Sequence, residues 1–491
     1  MTEEQSYRQI MKATTLFGGV QVFNILISII RSKFIAVLLG PAGMGIMGLL
    51  TSTIGIITSL TNFGLGTSAV KNIASAFGTG DEKRIGTVVT ALRKMVWITG
   101  LLGLITTAIL SPWLSQLTFG NRDYTLVFIW LSVTLFLNQL SVGQMVQLQG
   151  MRQLNYLVKA NLSGSVIGLF VTLPLYYFWG IDGIVPGMIG TSLVTLLMSW
   201  HFSGKVKVEK VALTHSQTII EGMNMLQMGF MISLSGFLSV GASYIVRIYI
   251  NNIGGIEQVG LYTAGFAIIN TYVGLIFNAM GTDYYPRLSA VSHDNKLCKQ
   301  TINQQAEIAL LILAPILIIF LIFINWMIIL LYSQKFIDVN HMIYWAALGM
   351  LFKAPSWSIA FAFLAKGDSK LFFWNELVAN IVLLGLNILG YHLWGLTGLG
   401  ISFAVNFVFY LAQVYFVTRG IYEFNFNRTF IKIFVIQFGL VFTGFLAVKY
   451  LNYSSCYILG VVLITVSSWY SIRELDKRLG LLSILKNYQH K

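Results

Sequence analysis

Apolar stretches longer than the ~20 residues needed to cross a bilayer recur along the whole chain. Residues 95–120 and 124–151, for instance, contain no Asp, Glu, Lys or Arg. In lipid a lone segment satisfies its backbone only internally, so each stretch has to be helical. Charged residues make up 10% of the chain, against about a quarter in soluble domains. One signal peptide or anchor does not explain a pattern repeated so often. The longest polar interruption, about residues 282–307, is too short to fold as a soluble domain. The fold class read from this is an all-α polytopic membrane protein.

Fourteen spans are expected, at about 12–38, 43–65, 86–111, 124–149, 156–179, 182–204, 222–251, 258–281, 304–332, 340–365, 370–393, 396–418, 430–449 and 455–472. With the N-terminus inside, most of the 32 Lys and Arg residues fall in cytoplasmic segments, among them Lys83, Arg84, Lys205, Lys207, Lys210, Lys296, Lys299, Arg428, Arg473, Lys477 and Arg478. Only Arg122, Lys335 and Lys449 fall outside. This asymmetry follows the positive-inside rule and puts both termini in the cytoplasm. The net charge of +14 is thus a topology signal and not a nucleic-acid surface. Cys298 and Cys456 fall on opposite faces in this scheme, so they form neither a disulfide nor a zinc site.

The chain also repeats itself. Arg31 precedes Gly40-Pro41-Ala42-Gly43-Met44-Gly45, and Arg247 precedes Gly254-Gly255-Ile256-Glu257-Gln258-Val259-Gly260. Gly66-Thr67 corresponds to Gly281-Thr282, and Gln149-Gly150-Met151-Arg152-Gln153-Leu154 to Lys366-Gly367-Asp368-Ser369-Lys370-Leu371. Trp179-Gly180-Ile181-Asp182-Gly183 corresponds to Trp394-Gly395-Leu396-Thr397-Gly398, and all pairs are offset by 215 to 217 positions. Six spans per unit is an even number, so the halves share one orientation. Parallel six-helix lobes around a central cavity are expected, with two C-terminal helices outside the repeat. The expected domains are 1–205 (spans 1–6), a cytoplasmic linker 206–221, 222–420 (spans 7–12), and 421–491 (spans 13–14 and tail).

Four bases and one acid lie inside the spans, where ionisable groups cost about 2.5–3.5 kcal/mol each on insertion scales and face a cavity or a partner. Lys353 is deepest, roughly 20 Å from the outer end of its span at 1.5 Å per residue, with Pro355 beside it as a kink. Arg31 and Lys33 project about 200° apart on span 1, so both do not point into one narrow cleft. Arg247 takes the position matching Arg31 in the second half. Arg31, Arg247, Lys353 and Lys33 are the candidate substrate-binding residues; Glu376 pairs with a base such as Lys353 or takes part in coupling. A basic cavity of low dielectric selects an anion, and arginine's planar fork suits phosphate oxygens. No phosphate-binding glycine loop is present, and the six histidines are scattered without metal-ligand spacing. No catalytic residue, metal or cofactor is expected.

The basic span 1, the run Leu39-Gly40-Pro41-Ala42-Gly43-Met44-Gly45 and the run Ala365-Lys366-Gly367-Asp368-Ser369-Lys370 resemble the polysaccharide transporter family over about the first 420 residues. Within the multidrug/oligosaccharidyl-lipid/polysaccharide exporter superfamily, the chain is most similar to the O-antigen translocases, flippases of undecaprenyl-pyrophosphate-linked oligosaccharides. The resemblance implies two six-helix bundles that open alternately to each side, a cationic cavity for pyrophosphate and sugars, and a polyprenyl tail left in lipid. It implies a bacterial inner-membrane location, a lipid-linked anionic glycan as substrate, and membrane lipids and other polysaccharide-assembly proteins as partners. Many O-antigen translocases have twelve spans, and the fourteen here match the related peptidoglycan-precursor flippases.

Two other functions compete. A multidrug/toxin extruder uses acids in its lobes, whereas these spans hold one acid against four bases. A membrane oligosaccharide polymerase or ligase has a large external loop with catalytic arginines, and the outer loops here are short. Membrane potential, H+ and Na+ are all left open as the coupling force.

Overall fold

The computed structural model describes residues 23–209 and 211–479. The start of span 1 (residues 12–22), Lys210 and both termini lie outside the described residues. Among the described residues there is no strand. Fourteen α-helices follow one another: α1 (23–38), α2 (Gly40–Thr61), α3 (Leu65–Thr79), α4 (Glu82–Phe119), α5 (Thr125–Gly150), α6 (Leu154–Trp179), α7 (Ile184–Gly204), α8 (His215–Ala267), α9 (Leu275–Ala290), α10 (Asn295–Leu331), α11 (Asn340–Ala365), α12 (Ser369–Tyr422), α13 (Arg428–Tyr450) and α14 (Tyr453–Leu479). Polar residues mark where they begin. Asp81 caps α4 by accepting from the backbone N–H groups of Lys83 and Arg84 at 2.9 and 3.2 Å, and Asn427 caps α13 through the N–H of Phe430 at 2.6 Å.

Nine helical stretches among the described residues are long and apolar enough to cross a membrane. Two of them, Leu154–Gly204 and Ser369–Tyr422, run 51 and 54 residues, twice what one crossing needs. Each turns back at its Trp-Gly pair, so each supplies two crossings. The expected spans 222–251 and 258–281 correspond to α8 and to its continuation through a π-helical turn, Ile268–Val273, into α9.

The duplication is visible in the backbone itself. Gly40 and Gly255 have φ of 67° and 80°, Arg152 and Gly367 have 55° and 79°, and Gly180 and Gly395 have 56° and 57°. Each pair is offset by 215 positions. The turn after α5 has hydrogen bonds Gln153 N to Leu148 O (2.8 Å) and Met151 N to Gln147 O (3.0 Å). The turn after α11 repeats them as Asp368 N to Phe363 O (2.8 Å) and Lys366 N to Ala362 O (3.0 Å). Both are helix C-terminal caps with a left-handed residue. The motif match at an offset of 217 is therefore out of register by two residues; Arg152, not Gly150, is the counterpart of Gly367.

By contacts the chain forms two compact units. One runs to Gly260 and takes in Leu331–Ser333; the other holds Leu261–Leu330 and the chain from Gln334. In the first unit α3, α4 and α5 share a core that includes Leu65, Ile73, Val89, Leu92, Val96 and Val146. Lipid tails are as apolar as leucine, so close contact and not water exclusion holds such helices together. Glycines let the helices approach: a Cβ on Gly143 would lie 2.9 Å from Val96, and one on Gly150 2.6 Å from Ile73. The two duplicated glycine segments also meet inside this unit. Gly45 packs on the carbonyl of Ile256, and Gly260 packs on the carbonyl of Pro41. Since 41 and 256, like 45 and 260, differ by 215, one contact is the symmetry mate of the other.

In the second unit the two limbs of α12 lie antiparallel. Gly390 and Gly398 leave no room for a Cβ between them, and Ser402 donates to the Leu386 carbonyl at 2.5 Å. α11 packs on this hairpin through Gly349, whose Cβ would meet Phe403 at 2.7 Å. α14 is fastened by ions. Arg478 Nε donates to Glu307 of α10 at 3.0 Å and its Nη1 to Glu474 at 2.8 Å, and Asn427 Nδ2 donates to Glu307 at 3.0 Å. Cys298 and Cys456 are both buried free thiols.

Candidate functional site

Lys353 lies midway along α11, two residues before Pro355, and is half-buried. Its ammonium donates to Asn270 Oδ1 at 3.4 Å. Around it stand the rings of Phe277, Phe403 and Phe407, with centroids 5.5, 5.9 and 5.3 Å from Nζ. Ring faces attract a cation, but each does so more weakly than a carboxylate would. Among the described residues Lys353 has no acidic partner. Asn270 comes from the π-helical turn Ile268–Val273, and such turns recur at functional sites because they redirect side chains. Neither Asn270 nor this turn was foreseen, because nothing in its residues marks a π turn.

Glu376 does not pair with Lys353 in this structure. It accepts the Tyr410 hydroxyl across the α12 hairpin, and the Asn380 amide donates to its backbone carbonyl at 2.8 Å. At the preceding residue of the same limb, Asn375 Oδ1 accepts from Gln413 Nε2 at 2.8 Å. The buried oxygens Asn387 Oδ1, Asn406 Oδ1 and Gln413 Oε1 accept no hydrogen bond. The seam between the two limbs is thus polar and rich in acceptors, whereas the surroundings of Lys353 are aromatic.

In the first unit Arg31, half-buried on α1, faces α6. Its Nε is buried and unbonded, and no described residue forms an ion pair with it. Lys33 is half-buried and engaged in an interaction of its own. Arg247 has a buried Nε without a hydrogen bond as well, and it differs from Arg31 at its outer nitrogens. Its Nη1 donates back along α8, to the Ser243 carbonyl at 3.3 Å and to the Ser243 hydroxyl. Arg31 stands nine residues before Gly40, but Arg247 stands eight before Gly255. The one-residue difference turns their side chains ~100° apart about otherwise equivalent helices.

The lower bases serve the scaffold. Arg93 donates to Gln147 at 3.0 Å, and Lys94 donates to the Leu213 carbonyl and the Thr218 hydroxyl, both at 3.1 Å. Arg84, near the start of α4 and outside the membrane, is bonded to Glu221, which raises its pKa. Lys366 of the second repeat motif donates to the Ser292 carbonyl at 2.6 Å and to Asn295 at 2.8 Å, holding the turn before α10. Among the described residues no three His, Cys, Asp or Glu side chains gather as a metal site would require.

A family model described as "Polysaccharide biosynthesis protein" matches residues 34–341. No curated protein matches the sequence. Among solved structures, an inward-facing multidrug resistance MATE family transporter of the MOP superfamily is similar at a TM-score of 0.70 and 15% identity, covering 82% of this chain and 94% of that one. The lipid II flippase MurJ, in an inward closed conformation, is similar at 0.68 and 13% identity, covering 94% and 99%. A MOP superfamily transporter from Pyrococcus furiosus, described by a reversed polarity of its binding pocket, is similar at 0.59 and 15% identity, covering 84% and 96%. At such identities these likenesses speak for the fold alone. It is the all-α, two-lobed, multi-pass membrane fold of these transporters.

Proposed function

The chain belongs to the polysaccharide biosynthesis protein family, and from that premise we propose that it is a flippase, not an enzyme, that carries a lipid-linked oligosaccharide across the membrane. Its substrate is an undecaprenyl-pyrophosphate-linked repeat unit of O-antigen or a similar surface glycan. The observation that carries this reading is the state of the intramembrane bases. Lys353 has an amide oxygen and three rings for company, and Arg31 has no ion pair among the described residues. A buried charge without a counter-ion costs several kcal/mol, which an anionic ligand offsets when it binds.

Access alternates between the two sides of the membrane, and Arg31, Arg247 and Lys353, with Lys33 to a lesser degree, are the bases offered to the pyrophosphate. The polyprenyl tail stays in lipid. The protein sits in the bacterial inner membrane with both termini in the cytoplasm. A potential negative inside is worth ~2.3 kcal/mol per charge per 100 mV and favours outward passage of an anion. Glu376 with Tyr410 is the candidate for coupling to H+ or Na+.

The test is complementation of a flippase-deficient strain with wild type and with Arg31→Ala, Arg247→Ala and Lys353→Ala. Surface glycan is expected to fall most for Lys353→Ala and Arg31→Ala, and less for Arg247→Ala, whose charge is already bonded along its own helix. Full surface glycan from all three variants at normal expression overturns the reading. The likeness to MATE transporters favours a second reading, a multidrug/toxin-extrusion antiporter. Drug resistance conferred on a pump-deficient strain, with no rescue of surface glycan, would establish it instead.

A further inference from the structure

We propose that a cavity at one end of the second unit, between α10, α11, α13 and α14, is a binding site for an uncharged sugar ring. The cavity measures about 500 Å³, within the ~300–1,000 Å³ of small-molecule sites. It lies where α10 and α13 finish and α11 and α14 begin, the end that the charge asymmetry of the chain places on the outer side. Asn325, Tyr344, Asn452 and Tyr457 line it together with aliphatic side chains such as Ile322 and Val448. No charged residue is in the lining.

The polar groups around this cavity are not used up by one another. Asn340 donates to Asn325 Oδ1, which leaves the Asn325 amide hydrogens without an acceptor among the described residues. Asn340 is 6% exposed, and its own Oδ1 is buried with no hydrogen bond, an arrangement that native interiors rarely leave in place. Trp326 Nε1 donates to the Tyr457 hydroxyl at 3.0 Å, and Phe323 stacks on the Tyr457 ring at 5.7 Å between centroids. This phenol is therefore held in place with its own proton still to give. Amides and phenols both donate and accept, as the hydroxyls of a sugar do, and the tyrosine rings offer flat apolar faces to its C–H groups. A phosphate or an ammonium finds no counter-charge in this lining.

An aromatic belt at the membrane interface also gathers Tyr and Trp, but the residues of a belt face lipid and headgroups. Tyr344 is half-buried and lines the cavity. At the offset of 215 its counterpart on α5 is Ile129, an exposed aliphatic residue, and the counterpart of Asn340 is Thr125. The polar lining is thus no part of the shared scaffold. It occurs where the two helices outside the repeat pack on the second unit, α13 against α11 through Phe445 and Trp345, and α14 against α10 through Tyr457 and Trp326. That the sugar belongs to the exported glycan rests on the flippase reading; that the cavity binds a sugar does not.

The experiment uses the full-length protein in nanodiscs and measures saturation transfer by NMR to D-glucose, D-galactose, N-acetyl-D-glucosamine and L-rhamnose, with glycerol as a small polyol for comparison. At least one of the four sugars is expected to bind, about tenfold or more tightly than glycerol. Tyr344→Phe removes one hydroxyl and keeps the ring, and Asn452→Ala removes an exposed amide. Each is expected to weaken binding about two- to tenfold, as the loss of one hydrogen bond does, with thermal midpoints near wild type. Tyr450→Phe, at the same end of α13 but outside the lining, is expected to change nothing. No transfer to any of the four sugars, glycerol bound as tightly as they are, or unchanged affinity in both Tyr344→Phe and Asn452→Ala overturns the proposal. So does a loss in Tyr450→Phe equal to that in Tyr344→Phe, which assigns the binding to an aromatic belt. Surface glycan measured on the same variants separates the two claims. Weakened binding with full export keeps the sugar site and takes it out of the export path. Export by a wild type that binds no sugar removes the site and leaves the flippase reading standing.

Discussion

Replacing Gly45 by alanine puts a methyl group against the backbone of Ile256. Its Cβ would stand 3.0 Å from the Ile256 carbonyl carbon, nearer still to the oxygen, and 3.1 Å from the Gly260 nitrogen. Carbon contacts settle at about 3.5–4.0 Å, so α2 and the segment after Gly255 have to part by roughly 1 Å or more. The obstacle is backbone, which no rotamer change relieves. Overpacking of this kind costs about 1–3 kcal/mol, and at ~1.4 kcal/mol per tenfold the contact weakens about 5- to 150-fold. Gly260→Ala meets the Pro41 carbonyl in the symmetry-related way, so it is expected to cost a similar amount. Because one separation relieves both clashes, the double variant is expected to cost less than the two single costs together. Gly439→Ala, with nothing within 4 Å of its Cβ, is the control. The assay is amide hydrogen exchange of peptides spanning residues 40–48 and 255–261 in the purified protein. Exchange in both peptides is expected to rise at least fivefold in either single variant and to stay unchanged in the control. Exchange equal to the control, or strictly additive costs in the double variant, would falsify the reciprocal contact.

Arg152 holds a left-handed backbone where its repeat counterpart is Gly367, so Arg152→Gly is expected to relieve ~1 kcal/mol of strain and raise the thermal midpoint slightly. Arg478→Ala strips the buried Glu307 carboxylate of its ion pair and is expected to cost about 2–3 kcal/mol, with exchange of α14 rising; Glu307→Gln added to it restores much of the loss. Glu474, beyond the membrane, has its pKa lowered by hydrogen bonds from Arg478 and Lys477. A depressed carboxyl contributes stability above its unfolded pKa of 4.5, and that stability is lost as pH falls through the lower folded value. Exchange at the end of α14 is therefore expected to rise below about pH 4.5, and this acid step is expected to vanish in Glu474→Gln. A step of undiminished size in that variant would assign it to another group.

The membrane class and the duplication were legible because both rest on local signals. Span length follows from counting apolar residues, and the turns of each repeat follow from a glycine or a Trp-Gly pair at one place in the chain. Gly180 and Gly395 adopt nearly the same φ because the same short sequence faces the same steric problem. The register of the α5 and α11 turns was less legible, since an arginine takes the left-handed position at Arg152 that sequence matching gave to Gly150. Glu376 was found as the acid within a span, but its partner Tyr410 lies on the other limb of a hairpin. Glu307 drew no attention in the sequence, because its partners Asn427 and Arg478 stand more than a hundred residues away.

The sequence by itself determined that this chain crosses a membrane many times, that its halves share one ancestry and one orientation, and that bases outnumber acids among its spans. Those features depend on composition and period, which water and lipid read one segment at a time. Only the tertiary structure decided what each base meets. A one-residue difference from the nearest turn leaves Arg247 bonded to its own helix, while Arg31 lies against α6 beside Gly168. Lys353 meets three rings and an amide from a π turn, and Glu376 meets a phenol. The value of an intramembrane charge is set by the groups within a few ångströms of it, and those arrive from helices the chain brings together only on folding.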